Sequence, residues 1–311
     1  MKQETLFVLD TPYRQKLHVE GFRFGRGEKS LCVVGAMRGN EVQQMYICSQ
    51  LVRQLKWMEH HGDISSGYEI LVVPCVNHFS INVGSRFWAM DGTDINRMFP
   101  GYDAGETTQR IASALFEAVK DYPYGVHFAS SHMPGEPVPH VRMLDTGYQN
   151  ANLANLFGLP YVMLRKPTPY DTTTLDYNWQ VWETNSFSIY TKSTATIDEV
   201  SAQEAVTAVL RFLSRLGIVK YNCHSGYIST LVHEEALTNV MTPCGGIFRR
   251  LADPGQFVEY HQVLGQLLDP FTGEVRAELL SPTNGTVFFA VDYALVTEHT
   301  TAFRIIRRLH S

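Results

Sequence analysis

The sequence predicts an α/β protein, with a mixed, largely parallel sheet flanked by helices, followed by a small C-terminal all-β domain. Two patterns carry this prediction. In the first part of the chain, short continuous apolar runs alternate with stretches whose apolar residues recur at helical spacing, as parallel strands do when helices cover both faces of a sheet. From Tyr221 onward the apolar runs shorten and are separated by Gly245-Gly246, Pro254-Gly255, Thr272-Gly273 and Asn284-Gly285, which are turn signals of an antiparallel domain. A chain of 311 residues exceeds the usual single core, so two domains are expected, 1–219 and 220–311.

The elements follow in order. Leu31 to Ala36 is an unbroken apolar strand, and Val42, Met45, Tyr46, Val52 and Leu55 then fall at helical spacing, which makes a strand-loop-helix unit. Glu69 to Val76 repeats the buried-strand pattern and Thr107 to Val119 the helical one. Val126 to Ser130 and Pro160 to Leu164 are further short strands. The helix from Glu199 to Leu216 carries Val206, Val209, Leu210 and Leu213 on one side and closes the α/β part. Gly105-Glu106-Thr107-Thr108 opens the Thr107 helix as a capped N-terminus, and Asp198 and Glu199 suit the next helix start, where acids meet the positive end of the dipole.

Composition narrows the class. The 26 basic and 31 acidic residues give a formal net charge of -5, with no basic block and no interleaving of basic and aromatic residues, so nucleic acid and anionic membrane are not expected partners. Cys32, Cys48, Cys75, Cys223 and Cys244 are scattered and odd in number, the pattern of reduced core thiols. The first residues lack a run long enough for a signal peptide, and no stretch reaches the ~20 apolar residues of a membrane span, so a cytoplasmic location is expected.

Two segments bear chemistry. Gly35-Ala36-Met37-Arg38-Gly39-Asn40-Glu41 ends the first predicted strand, and Asp94-Ile95-Asn96-Arg97-Met98-Phe99-Pro100-Gly101 lies downstream. Ligands of open α/β sheets bind outside the carboxyl ends of the strands, where Arg38 to Glu41 falls. Asn96 with Arg97, stiffened by a Phe-Pro-Gly turn, offers a guanidinium fork and an amide donor suited to a carboxylate. A solvated arginine beside a turn accounts equally for the spacing alone. Arg86 and Trp88 lie near this loop in sequence and could add an anion contact and a pocket wall. The polar loop from Pro167 to Thr174 is either a lid or a rigid surface loop.

These motifs resemble the succinylglutamate desuccinylase and aspartoacylase family, a branch of the zinc carboxypeptidase-like hydrolases. The resemblance covers nearly the whole length and is most specific at Asp94 to Gly101; Gly245-Gly246-Ile247-Phe248, Val263-Leu264-Gly265 and Ser281-Pro282-Thr283-Asn284-Gly285 are weaker points of likeness in a C-terminal sandwich- or barrel-like domain. It implies a zinc hydrolase acting on the amide bond of a small carboxylate-bearing N-acyl amino acid, in which a metal-bound water attacks the carbonyl and a separate acid shuttles its proton. Carried over by position, Glu41 and His127 would be metal ligands, Asn96 and Arg97 the carboxylate clamp, and Arg142 a further anion contact.

Three positions depart from the family pattern. Arg38 stands where the first zinc histidine is expected, and a guanidinium has no lone pair to give a metal. Its charge would oppose such an ion by about 4 kcal/mol per unit charge at 4 Å for an effective dielectric near 20. Gly125 stands where an acid would orient the second histidine, and Tyr190 where the proton-shuttling glutamate is expected. Two rescues follow. A rearranged metal site would join Glu41 and His127 to one of His78, His132 or His140. Alternatively, Arg38 would join Arg97 and Arg142 in an anion pocket without metal, making a binding or regulatory relative. Glu183, set among Tyr177, Trp179 and Trp182, is the candidate replacement base. A carboxypeptidase acting on short peptides is a third possibility, requiring an open groove.

Overall fold

The structure is a computed structural model and describes residues 1–11, 15–131 and 133–308. It falls into two compact units, residues 1–130 with 139–231, and residues 131–138 with 232–311. The sequence suggested a boundary at 219/220; the compact units divide at 231/232, and the short segment after Ser130 goes with the second.

The first unit is built on a mixed sheet. Its elements are β1 (Lys2–Leu9), β2 (Leu17–Gly25), β3 (Gly27–Ala36), α1 (Val42–His61), β4 (Gly67–Cys75), α2 (His78–Val83), α3 (Thr107–Val119) and β5 (Tyr124–Ala129). After β6 (Glu136–Pro137), which belongs to the second unit, come β7 (His140–Leu144), α4 (Ala151–Ala154), β8 (Tyr161–Arg165), α5 (Leu175–Val181), β9 (Asn185–Tyr190) and α6 (Glu199–Arg215). The spatial order is β1-β2-β4-β3-β5-β9-β7-β8, with β10 (Thr230–His233), in which the chain leaves this unit, at the far edge. Strands β4, β3, β5 and β9 run parallel, as do β7 and β8, whereas β1 against β2, β2 against β4, and β7 against β9 are antiparallel. The β1-β2 ribbon lacks the fully apolar runs by which β3, β4, β5 and β8 were recognised, because its residues mix burial with exposure.

Alternation along the central strands sorts the core into two layers. Leu31 and Val33 of β3, with Val126 and Phe128 of β5, pack with Ile47, Leu51 and Leu55 of α1 and Val209 and Phe212 of α6. Cys32 and Val34 point the other way, among Ile111, Leu115 and Phe116 of α3 and Trp179 of α5. Trp88 is buried in this second layer rather than lining a pocket. From β3 the chain crosses to β4 on one side and later to β5 on the other, so the carboxyl ends of β3 and β5 flank a topological switch point. Helix α3 starts with a capping box between Glu106 and Gln109, and α6 with the Asp198 carboxylate accepting the Ser201 amide.

The second unit has a five-stranded sheet, in which Thr301–Arg307 lies between Leu237–Met241 and Gly285–Ala290, and a four-stranded sheet running Val275–Leu280, Val263–Leu268, Gly246–Arg250 and Leu295–Val296. Phe248, Leu264, Val287, Phe303 and Ile305 form its core. Arg250 with Glu136 at 3.0 Å, and Arg304 with Glu234 at 2.8 Å, add ion pairs.

Candidate functional site

The two chemistry-bearing segments meet at the switch point. Residues 37–41 leave β3 in a turn whose closeness requires glycine: a Cβ on Gly39 would stand 2.1 Å from the Ser85 carbonyl oxygen. The Gly39 amide donates to the Arg86 carbonyl at 2.9 Å. Glu41, with no exposed surface, turns its carboxylate back into this loop. Its Oε2 accepts the backbone amides of Met37 at 2.8 Å and Arg38 at 3.0 Å, while its Oε1 accepts Arg38 Nη1 at 3.2 Å and Ser130 Oγ at 2.5 Å.

Arg38 is the hinge between the motifs. Its Nε and Nη2 donate to Asp94 Oδ2 at 3.1 and 2.8 Å, and the other Asp94 oxygen accepts the Asn96 amide at 3.1 Å, capping the 3-10 turn Ile95–Arg97. Burial works against a charged guanidinium here, but the Glu41 and Asp94 carboxylates outweigh it and hold the Arg38 pKa above its ordinary value. Arg86 feels the same cluster, and burial followed by the nearby Arg38 charge holds its pKa below the ordinary one.

The Asn96-Arg97 pair has local work to do. Asn96 Oδ1 accepts the Leu175 amide at 3.1 Å, Arg97 Nη1 donates to the Tyr170 carbonyl at 2.6 Å and lies 3.7 Å from Asp171, and the Phe99 amide donates to the Thr173 carbonyl at 3.0 Å. These bonds fasten residues 95–99 to the 3-10 turn Pro169–Thr173, so the loop suggested as a lid is tied down at several points. The expected carboxylate clamp is therefore, in the first place, a joint between two turns.

His127 is 1 % exposed and donates or accepts through Nδ1 at 3.0 Å from Asp176 Oδ2. The other Asp176 oxygen accepts Ser188 Oγ at 2.8 Å and Ser186 Oγ at 3.3 Å. The orienting acid expected at Gly125 thus comes instead from α5, 49 residues beyond His127. His127 Nε2 is buried and has no hydrogen-bond partner among the described residues. With Asp176 accepting at Nδ1, the neutral ring carries its proton there and presents a lone pair at Nε2.

Strand register places further groups beside this ring. His127 pairs with Ser188 of β9, and Ser188 with Arg142 of β7, so the three lie in one row on one face. The next row holds Tyr190 and His140, whose rings stack with centroids 4.9 Å apart. The Arg142 guanidinium sits 4.8 Å from the Tyr190 ring centroid, its Nη1 3.3 Å from the Tyr190 hydroxyl.

Other expectations are corrected. Glu183 is exposed, with a φ of 67°, just ahead of the amino end of β9, whereas Tyr190 ends that strand; the aromatic neighbours do not enclose it, and it is remote from the cluster. His78 is half-buried on α2, with burial and then His18 holding its pKa down. Among the described residues no three His, Cys, Asp or Glu side chains gather where they could share a metal ion; His132, one of the histidines considered, lies outside those residues. The donor set fits zinc poorly. A carboxylate has roughly four lone-pair positions, and the four bonds accepted by Glu41 use them.

With the geometry in place, comparison with known proteins decides the family. The succinylglutamate desuccinylase/aspartoacylase catalytic-domain profile matches residues 28–216. The chain belongs to this family. An N-alpha-acetyl-L-2,4-diaminobutyric acid deacetylase from Halomonas elongata is 25% identical over 146 residues, 45% of this chain and 41% of that relative; the match therefore spans less than half of the curated relative. A succinylglutamate desuccinylase from Silicibacter sp. TM1040 superposes with a TM-score of 0.80 at 18% identity, covering 93% of this chain and 88% of that one. The product-bound ectoine utilization protein EutE (DoeB) from Ruegeria pomeroyi gives 0.81 at 17% identity, covering 98% and 94%. No described helix is long and apolar enough to cross a membrane.

Asp176 makes this desuccinylase/aspartoacylase family member's acid response testable. Burial raises its carboxyl pKa, but His127 and the hydroxyls of Ser188 and Ser186 outweigh that and hold it below the ordinary carboxylate value. A depressed folded-state pKa contributes stability that is fully present above the unfolded value, about 3.9, and is lost as pH falls through the folded one. Asp176→Asn is expected to lower unfolding free energy by about 1.5–3 kcal/mol at neutral pH, with the gap to wild type narrowing below about pH 4. Urea titrations across pH check this, and 15N shifts of His127 should show weakened preference for the Nδ1–H tautomer. An equal gap at every pH would count against the role given to Asp176.

Proposed function

We propose that the protein recognises a small N-acyl amino acid, or the amino acid released from one, at the carboxyl ends of β3, β5 and β9, and does so without the zinc of its family. The observation that carries this reading is the row His127, Ser188, Arg142, with Tyr190 beside it. Adjacent strands lie about 4.8 Å apart, so His127 and Arg142 stand on backbones roughly 10 Å apart. A ligand bearing an amide or ammonium N–H and a carboxylate has donors and acceptors at about that separation. The buried Nε2 of His127 accepts from the nitrogen, and Arg142 with the Tyr190 hydroxyl donates to the carboxylate. Asp176 acts through His127 by fixing its tautomer, and Asn96 and Arg97 tether the segment that leads into α5 and Asp176.

Family membership and the relative's action on an N-acetylated amino acid support this ligand class. Calorimetry against a panel of N-acetyl, N-succinyl and free amino acids tests it. Arg142→Ala is expected to weaken the best ligand about tenfold to a hundredfold, the worth of a charge-assisted hydrogen bond. Absence of heat with every member of the panel would refute the reading. A hydrolytic reading is favoured by the His127-Asp176 dyad, which could take a proton from water; release of free amine from the same panel, abolished by His127→Gln, would establish it instead.

A further inference from the structure

We propose that the Arg38 guanidinium is the resident cation of this site, standing where relatives of this architecture would hold a metal ion, and that it excludes a divalent metal from the native protein. The proposal rests on the metal-free reading above and deepens it. Three observations carry it. First, Glu41 has no exposed surface, and its two oxygens accept four hydrogen bonds, from the Met37 and Arg38 amides, Arg38 Nη1 and Ser130 Oγ. A carboxylate has about that many lone-pair positions, so a metal would have to break one of these bonds to bind.

Second, the charges already balance. Arg38 and Arg86 carry two positive charges, Glu41 and Asp94 two negative ones, and the four side chains interact electrostatically as one cluster. A divalent ion would add an uncompensated double charge beside the buried Arg38–Glu41 pair, the costly situation that paired burial avoids. Third, the histidine expected as the later ligand keeps a ligand's surroundings on β5, the strand next to β3. His127 keeps a carboxylate partner at Nδ1 and, at Nε2, a buried lone pair with no partner among the described residues, the arrangement in which an imidazole ligates. Only the residue at 38 is of the wrong chemistry. The guanidinium therefore supplies by a fixed side chain the charge neutralisation of Glu41 that an ion would otherwise supply.

The test is metal uptake rather than turnover. Native protein, purified without chelator and dialysed against cobalt(II), is expected to retain well below stoichiometric metal. Arg38→His removes the cation and adds an imidazole three residues before Glu41; it is expected to bind roughly one equivalent of cobalt(II), visible as d–d absorption and displaced by zinc. Adding Glu41→Gln or His127→Gln to that variant should abolish the absorption. A folded Arg38→His protein, by circular dichroism, that takes up no more cobalt than wild type overturns the proposal and leaves the ligand reading standing. Stoichiometric metal in the native protein overturns both. Amino-acid ligands that fail to bind a demonstrably metal-free native protein overturn the ligand reading alone. If Arg38→His does not fold, Arg38→Gln serves instead: cobalt(II) should raise its melting temperature while leaving wild type unmoved, and the lack of any such difference overturns the proposal.

Discussion

Arg38→Met is expected to destabilise the protein by about 3–5 kcal/mol, the usual cost of removing one partner from a buried ion pair. The methionine retains much of the length and apolar contact of the arginine stem, so what is lost is chiefly charge and hydrogen bonding. Glu41, fully buried, would keep the Met37 and Arg38 amides and Ser130 but lose its ion pair with the guanidinium, and Asp94 would lose both bonds from it. Each contact lies near 3 Å, where a unit-charge pair at an effective dielectric of 20 is worth about 5–6 kcal/mol before desolvation is subtracted. The desolvation of Arg38 is relieved by the mutation, which is why the net expectation falls below the sum of the two pairs.

The same logic separates charge from packing. Arg38→Met combined with Glu41→Gln and Asp94→Asn removes the stranded charges along with the cation, and the triple variant is expected to be more stable than the single one. Urea unfolding at pH 7 gives both numbers. Because the pairs are buried, the loss should persist at high ionic strength, unlike that of an exposed pair. A single variant within about 1 kcal/mol of wild type, the range of surface pairs, would mean that water reaches this network.

The reach of the sequence into this fold has a physical pattern. The central strands and the helices over them were legible because burial on both faces leaves unbroken apolar runs and a 3.6-residue period; the Thr107–Val119 helix matches its expected limits. The β1-β2 ribbon was not, since half-exposed strands dilute that signal. At the site, the Asp94 to Gly101 motif marked the right place but not its task, because the partners of Asn96 and Arg97 lie on a segment more than 70 residues later, Tyr170 to Leu175. Arg38 could be seen to forbid ligation from its chemistry alone. That it would instead bridge Glu41 and Asp94 depends on a fold-level approach of two loops. Asp176 shows the same limit: nothing in the local pattern of α5 announces that one of its carboxylates reaches β5.

Gly125→Asp, which would put an acid at the position where the family pattern led us to look for one, is expected to damage the protein rather than improve the site, by roughly 3–5 kcal/mol. A Cβ at Gly125 would stand 2.8 Å from Trp179 Cε3 and 2.9 Å from Cδ2, and Trp179 is fully buried with its indole nitrogen donating to the Val119 carbonyl at 3.3 Å. Overpacking of this kind costs about 1–3 kcal/mol, and a carboxylate forced against an indole face in an apolar layer, with no donor waiting, adds a further ~1–3 kcal/mol. The reason for the exchange is visible in α5. Asp176 and Trp179, three residues apart and hence on one side of that helix, together supply the acid to His127 and fill the volume beside Gly125. The carboxylate that orients His127 comes from the helix, and the glycine is the space left for the tryptophan. It follows that Trp179→Ala should make Gly125→Asp less harmful than it is alone, a non-additivity that a double-mutant cycle on unfolding free energies would read directly. Strict additivity of the two changes would show that the indole is not what keeps position 125 free of a side chain.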